Sequence, residues 1–102
     1  MKKILTFLLL TTTGLNGLAL SPNKMLAIVG AVKYYNENCG GLNLAGLRRM
    51  NKGLKRFKMH KIPRPLLEQH PLSISSYQTA EKFGCTGTKN EAYKAGFGQY
   101  IN

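Results

Sequence analysis

The chain has 102 residues, with 15 Lys or Arg against four acidic residues and a formal net charge of +11. That length leads us to expect one small domain, and the charge points to anionic partners: nucleic acid, a membrane surface, an acidic protein or a polysaccharide. Two cysteines with no Cys-x-x-Cys, and two histidines at no ligand spacing from them, exclude a recognised zinc motif and leave no metal or cofactor to expect.

The first segment reads as an export signal. Lys2 and Lys3 form a positive start, Ile4 to Leu10 an apolar run, and Gly17-Leu18-Ala19 a small-residue cleavage site. A membrane anchor needs ~20 mostly apolar residues. The stretch from Ile4 to Leu20 is shorter and is interrupted by Thr11, Thr12, Thr13 and Asn16. The expectation is a cleaved signal over residues 1–19 and one domain over 20–102, periplasmic or secreted. The mature part would keep 13 basic and four acidic residues, a net charge of +9. So small a domain has little interior to stabilise it. Exported domains of this size often add a disulfide, and Cys39 with Cys85 is the available pair.

The segment from Ser21 predicts a first helix. Ser21 suits the N-cap and Pro22 the first turn. Met25, Ile28, Val29, Val32 and Tyr35 recur at three and four along one face, and Cys39 continues the row. Gly40 and Gly41 end it, because glycine accepts the left-handed conformation beyond a helix.

A second helix follows, capped by Asn43 and ending near Met59. At about 100° per residue, Leu44, Leu47, Met50, Leu54 and Phe57 share one arc. Arg48, Arg49, Lys52, Lys55 and Arg56 share the opposite one. Gly46 and Gly53 lie at an edge of the apolar arc, where they permit close approach of another element. The connector carries Pro63, Pro65 and Pro71, which forbid a regular long helix; Leu66 and Leu67 are expected to pin it to the core.

A third helix is predicted from Leu72 to Gly84, capped by Ser73 or Ser75, with Cys85 directly after it. The last begins at the capping-box pattern Thr88-x-x-Glu91, and Tyr93, Phe97, Tyr100 and Ile101 make its apolar face. No segment alternates long enough to read as a strand. The fold class is all-α, a small bundle of about four short helices with one disulfide.

Enzyme chemistry finds little support. The four acids stand singly, and no nucleophile motif or phosphate loop is present. His60 and His70, flanking a basic connector, read as exposed residues rather than an acid–base pair. The stretch GCTGTKN at 84–90 reads as a capped turn beside a disulfide rather than a phosphate site.

The basic block at 46–65 holds eight Lys or Arg and no acid. Five like charges on one helix repel at i,i+3 and i,i+4, and a surface needing only solubility would mix signs. Arg48, Arg49, Lys52, Lys55 and Arg56 are therefore the candidate residues for binding an anionic partner.

The stretch FGCTGTKNEAYKAGFGQY, with two cysteines 46 positions apart, resembles the small periplasmic acid-stress chaperones of the HdeA type. Cys85, Thr86 and Lys89 match that family's Cys-Thr-x-x-Lys stretch, and Tyr93-Lys94 its aromatic-Lys pair. Around Cys39 the chain reads NENCGGLN, without the family's acidic and aromatic surroundings, and it is far more positive. The resemblance implies a helical fold with one disulfide and a chaperone function. The chain also resembles the small basic secreted effectors of host-associated bacteria. The expectation is an exported, non-enzymatic helical binding protein, an effector or interaction protein, with the chaperone as the alternative.

Overall fold

A computed structural model describes residues 20–102. The expected signal over residues 1–19 lies outside the described residues. The described chain folds as α1 (Pro22–Asn38), α2 (Leu44–Arg56), a 3-10 turn (Met59–Lys61), α3 (Arg64–Glu68), α4 (Pro71–Lys94) and a last 3-10 turn (Gly98–Tyr100). The all-α bundle and the Cys39–Cys85 disulfide are both present. The one β feature among the described residues is an isolated antiparallel bridge between Leu42 and Ile101.

Helix α1 starts where its sequence says it should. The Ser21 hydroxyl accepts the Lys24 N–H at 3.2 Å and Pro22 opens the first turn. Past Cys39 the chain turns at Gly41, at a φ of 76°. Met25, Leu26 and Val29 of α1 meet Met50 and Leu54 of α2, Met59 and Leu67 in the core, with Ile28, Val32, Leu42 and Phe57 packed against it. Three of the buried core residues are methionines, whose flexible thioethers fill irregular gaps.

Helix α4 lies along α1, its backbone close over much of the length. The contact is close because Gly30 has no side chain. A Cβ there would stand 1.9 Å from the Ser73 carbonyl oxygen. Ser73 is fully buried, and its Oγ lies 2.8 Å from the carbonyl oxygens of both Leu26 and Leu67. One buried hydroxyl thus ties α1, α3 and α4 together, which a buried polar group requires. Ser73 is therefore a core residue rather than the expected cap, and Ser75 is also inside the helix. The cap is His70, whose Nδ1 accepts the Leu72 N–H at 3.1 Å, with Pro71 at the first position. Proline's missing N–H costs nothing at that position, because the N–H groups of a first turn have no partner within the helix.

The expected third and fourth helices are the two halves of α4. Gly84, at φ 72° and ψ −179°, breaks them apart where the sequence placed the end of the third. The second half restarts at once from Cys85, so Thr88 is inside a helix and not at its cap. Its Oγ1 donates to the Ala80 carbonyl at 3.2 Å, across the break. That half ends at Lys94, with Gly96 at φ 83°, so no helix carries Tyr93, Phe97, Tyr100 and Ile101 as one face. Tyr93 is 56 % exposed, while the Phe97 and Tyr100 rings pack at 6.2 Å.

The last residues strap the α1–α2 connector. The Asn43 N–H donates to Tyr100 O at 3.0 Å, and the Asn102 N–H to Gly41 O at 3.0 Å. The Tyr35 hydroxyl donates to the Asn102 main-chain oxygen at 2.6 Å. The connector between α2 and α4 is not wholly irregular: it holds the single-turn α3, whose Leu67 is buried while Leu66 is exposed.

Candidate functional site

Helix α2 carries the basic candidates and is held from its first turn. The Asn43 carbonyl oxygen Oδ1 accepts the Gly46 N–H at 2.8 Å, and Nδ2 donates to the Gln99 carbonyl at 2.8 Å. The helix ends at Arg56, three residues before the expected end, because Lys58 takes the left-handed conformation at φ 59°. Lys55 and Arg56 sit in the last turn, where the helix dipole favours cations.

The buried face of α2 is rotated from the expected one. Met50 and Leu54 are buried, but Leu44 and Leu47 are 62 % and 47 % exposed. The glycine edge is covered instead. A Cβ on Gly46 would stand 2.1 Å from the Tyr100 carbonyl oxygen, and one on Gly53 2.8 Å from Met25 Sδ. The C-terminal turn and the Met25 side chain dock onto this edge and pull it inward. The close approach expected of the two glycines occurs, to a turn and a side chain rather than to a second helix.

Arg48, Arg49, Lys52, Lys55 and Arg56 are all exposed. The ion pairs among the described residues are Lys33–Glu37 at 3.1 Å and Lys94–Glu91 at 3.4 Å, and neither involves these five. Arg56 stands over the Phe57 ring at 5.6 Å. Helix α2 contains no acid, so the field of the five cations is not neutralised along the helix itself.

The rotation divides the five. Arg49 and Arg56 lie seven residues apart beside Gly46 and Gly53, and they line a half-open groove of about 190 Å³ between α1 and α2. Arg48, Lys52 and Lys55 do not line it. Ile28, Ala31 and Val32 of α1 form one wall, with Ala92, Phe97 and Ile101 at its end. Lys24 adds a third cation to the lining, and no acidic residue belongs to it. Sequence reasoning missed this groove. Its signal was the glycine pair next to arginines, read as a packing surface rather than as the edge of an opening.

The other sequence candidates are not gathered. His60 is exposed in the first 3-10 turn and His70 caps α4. Among the described residues no three His, Cys, Asp or Glu side chains cluster as a metal site. Cys39 and Cys85 are joined, with Cα atoms 5.4 Å apart, fastening the end of α1 to the start of the second half of α4.

A polar cluster lies on the opposite side of α1. The Tyr77 hydroxyl donates to Glu37 Oε1 at 2.8 Å, and Lys33 reaches Glu37 Oε2 at 3.1 Å and lies 4.7 Å above the Tyr77 ring. The Tyr77 hydrogen bond, and then Lys33, hold the Glu37 carboxyl below its ordinary range. The same hydrogen bond to Glu37 raises the Tyr77 hydroxyl, and Glu37 raises Lys33. With a carboxylate pinned between a phenol and an ammonium, this cluster is a clasp between α1 and α4.

Comparison of the chain with protein-family models, curated proteins and solved structures returned no match.

Proposed function

We propose that the protein is an exported, non-enzymatic binding protein that presents the basic face of α2 to an anionic partner. The observation that carries this reading is the exposure of Arg48, Arg49, Lys52, Lys55 and Arg56 on a helix with no acid, none of them in an ion pair among the described residues. Like charges at this spacing oppose helix formation. A chain that keeps them gains something by their proximity, and the gain is attraction for an anionic surface. The disulfide supports export, because such bonds persist in oxidising compartments. No helix among the described residues is long and apolar enough to cross a membrane, so a membrane would be met at its surface.

The partner class is an anionic macromolecule: an acidic protein, a polyanion such as a nucleic acid or a sulfated polysaccharide, or an anionic membrane surface. Heparin, duplex DNA and phosphatidylserine vesicles are the probes. Binding that weakens linearly with the logarithm of salt concentration supports the reading. Binding to none of the three at low salt overturns it.

The periplasmic acid-stress chaperone of the HdeA-like kind is the second reading. The exposed Leu44 and Leu47 favour it, since clients are held by apolar surface. Its chemistry fits less well. Acidification acts by protonating carboxylates, and the chain has four. A client-protection assay on acidification separates the two readings.

A further inference from the structure

The groove between α1 and α2 has a composition that the basic face alone does not require. Its walls are apolar, from Ile28, Val32 and Phe97, yet Arg49, Arg56 and Lys24 contribute to its lining and no acid does. At about 190 Å³ it is larger than the ~150 Å³ apolar cavity that accepts a benzene ring. It is smaller than the ~300 Å³ at which pockets for drug-sized ligands begin. That size suits one unbranched alkyl chain and not a paired-chain lipid.

Ser76 gives an independent observation. It lines the groove, is only 6 % exposed, and its Oγ has no hydrogen-bond partner. A buried hydroxyl left unpaired costs about 1–3 kcal/mol, and the other buried hydroxyls of α4 avoid that cost. Ser73 and Thr79, on the same half of α4, both bond to carbonyls, and so do the hydroxyls of Thr88 and Tyr35, which also line the groove. Ser76 Oγ and Glu91 Oε1 are the two exceptions among the described residues, and of these only Ser76 lines the groove. An oxygen-bearing ligand would complete it.

We propose that this groove binds a single-chain amphiphile with an anionic head, of the fatty-acid or single-chain phosphate type. The alkyl chain lies against Ile28, Ala31 and Val32, and the head meets Arg49 and Arg56. The site shares those two arginines with the anionic-partner face but does not depend on Arg48, Lys52 or Lys55.

The test is calorimetric titration of the oxidised protein, below micelle concentrations, with decanoate, decyl phosphate, decanol and decyltrimethylammonium. Saturable one-to-one binding of the two anions is expected, with decanol weaker and the cation weakest. Comparing decanoate with decyl phosphate distinguishes a fatty-acid source from a phospholipid one. Replacing Arg49 and Arg56 together by Gln should weaken decanoate roughly three- to tenfold and leave decanol unchanged. Ser76→Ala should weaken decanoate while leaving the unliganded protein as stable or more so, which a merely structural serine would not do. Ala31→Phe, which fills the groove, should abolish binding of both decanoate and decanol; should it misfold, the arginine and serine variants still decide. Equal affinity for all four compounds, or unchanged decanoate affinity in both the arginine and serine variants, overturns the proposal. So does sedimentation as a dimer that decanoate does not dissociate, because a second copy would then fill the groove. Failure of the anionic-partner reading shows differently. Polyanion binding would be unchanged in the Arg48, Lys52 and Lys55 to Gln variant, whatever decanoate does.

Discussion

Helix α1 has two flanks, and they are built on different rules. On one flank Leu26, Gly30 and Tyr34 meet α4 at close backbone distance, with Ser73 bonded to the Leu26 carbonyl and Glu37 to Tyr77. The Tyr34 and Tyr77 rings pack edge-on at 5.6 Å. On the other flank Ile28, Ala31 and Val32 face α2 across an open groove, and the backbones of α1 and α2 hardly approach each other. Long flexible side chains bridge the gap, Met25 against Gly53 above all. The closed flank spends its composition on stability. The open flank sets cations beside an apolar wall, and Ser76 of α4, unpaired, also lines the groove. Where a small protein tolerates looseness next to charge, binding is the reason to look for.

The bond that joins the closed flank to the rest of α4 should give the largest effect. Cys39–Cys85 closes a loop of 46 residues, which chain entropy values at roughly 4 kcal/mol. That is close to the whole stability of a domain this small. Reduction, or Cys39→Ser, should melt most of the helical circular dichroism signal at 37 °C (about body temperature, where such removals often abolish folding). A reduced protein that melts within a few degrees of the oxidised one would show that packing against α4 suffices without the staple.

Glycine-to-alanine substitution sets one flank directly against the other. At Gly30 the new methyl would stand 1.9 Å from a backbone oxygen, which cannot swing aside. Helix α4 would have to move, at a cost of about 3 kcal/mol or more, the upper end of overpacking. At Gly53 the neighbour at 2.8 Å is the sulfur of Met25, on a side chain with three rotatable bonds. Alanine also favours the helix by ~1 kcal/mol over glycine, so Gly53→Ala should be near neutral. Chemical denaturation of both variants measures the difference. Similar losses at the two positions would mean that the flanks are equally tight.

Much of the closed flank was legible in sequence. Ser21 and Asn43 are caps in fact because a short polar side chain ahead of an apolar periodic run has few other uses. The disulfide followed from compartment and pairing, and Gly84 ended a helix as glycine does. Ser73 was misread because a serine near a helix start looks like a cap whether it faces water or core. The proline two residues earlier was the better guide. The open flank was legible only in part. The five cations were found on one face, but Leu44 and Leu47 were taken as core. Burial on α2 is decided by what docks there, and the docking group is the Tyr100 turn, 54 residues from Gly46 in the chain. No local periodicity encodes that contact.

The exposed face of α2 should respond to charge removal with a smaller change in stability, of opposite sign. Replacing Arg48, Lys52 and Lys55 with Gln keeps good helix formers and relieves like-charge repulsion worth about 0.2–0.5 kcal/mol per pair. Thermal stability should stay equal or rise slightly. Heparin affinity should fall, and its log–log salt dependence should flatten by roughly one unit for each lost contact. A variant that loses stability instead would show that these side chains cover apolar surface, Leu44 and Leu47 being exposed beside them.

The clasp of Glu37, Tyr77 and Lys33 should give the smallest effect, and its sign is fixed at both ends of the pH scale. Glu37 sits below its ordinary carboxyl value of 4.5 because Tyr77 and then Lys33 favour its ionised form. Its contribution is therefore complete above that value and is lost as pH falls through the lower, folded one. Tyr77 and Lys33 are raised above 10.0 and 10.5, chiefly by Glu37. Their contributions are complete below those values and are lost as pH rises through the folded ones. The cluster thus adds a flat increment across neutral pH that fades in acid and in strong base. All three groups are solvent-accessible, so the increment is small. Melting temperatures of the parent and Glu37→Gln should differ slightly at neutral pH and converge in acid, once the pH has fallen through the lowered folded value of the carboxyl. Tyr77→Phe should reproduce part of the loss, since it removes the donor but keeps the ring against Tyr34. A difference that persists undiminished in acid would show that Glu37 acts through shape and not charge. The closed flank of α1 would then owe its tightness to packing alone, with Gly30 and Ser73 as its determinants.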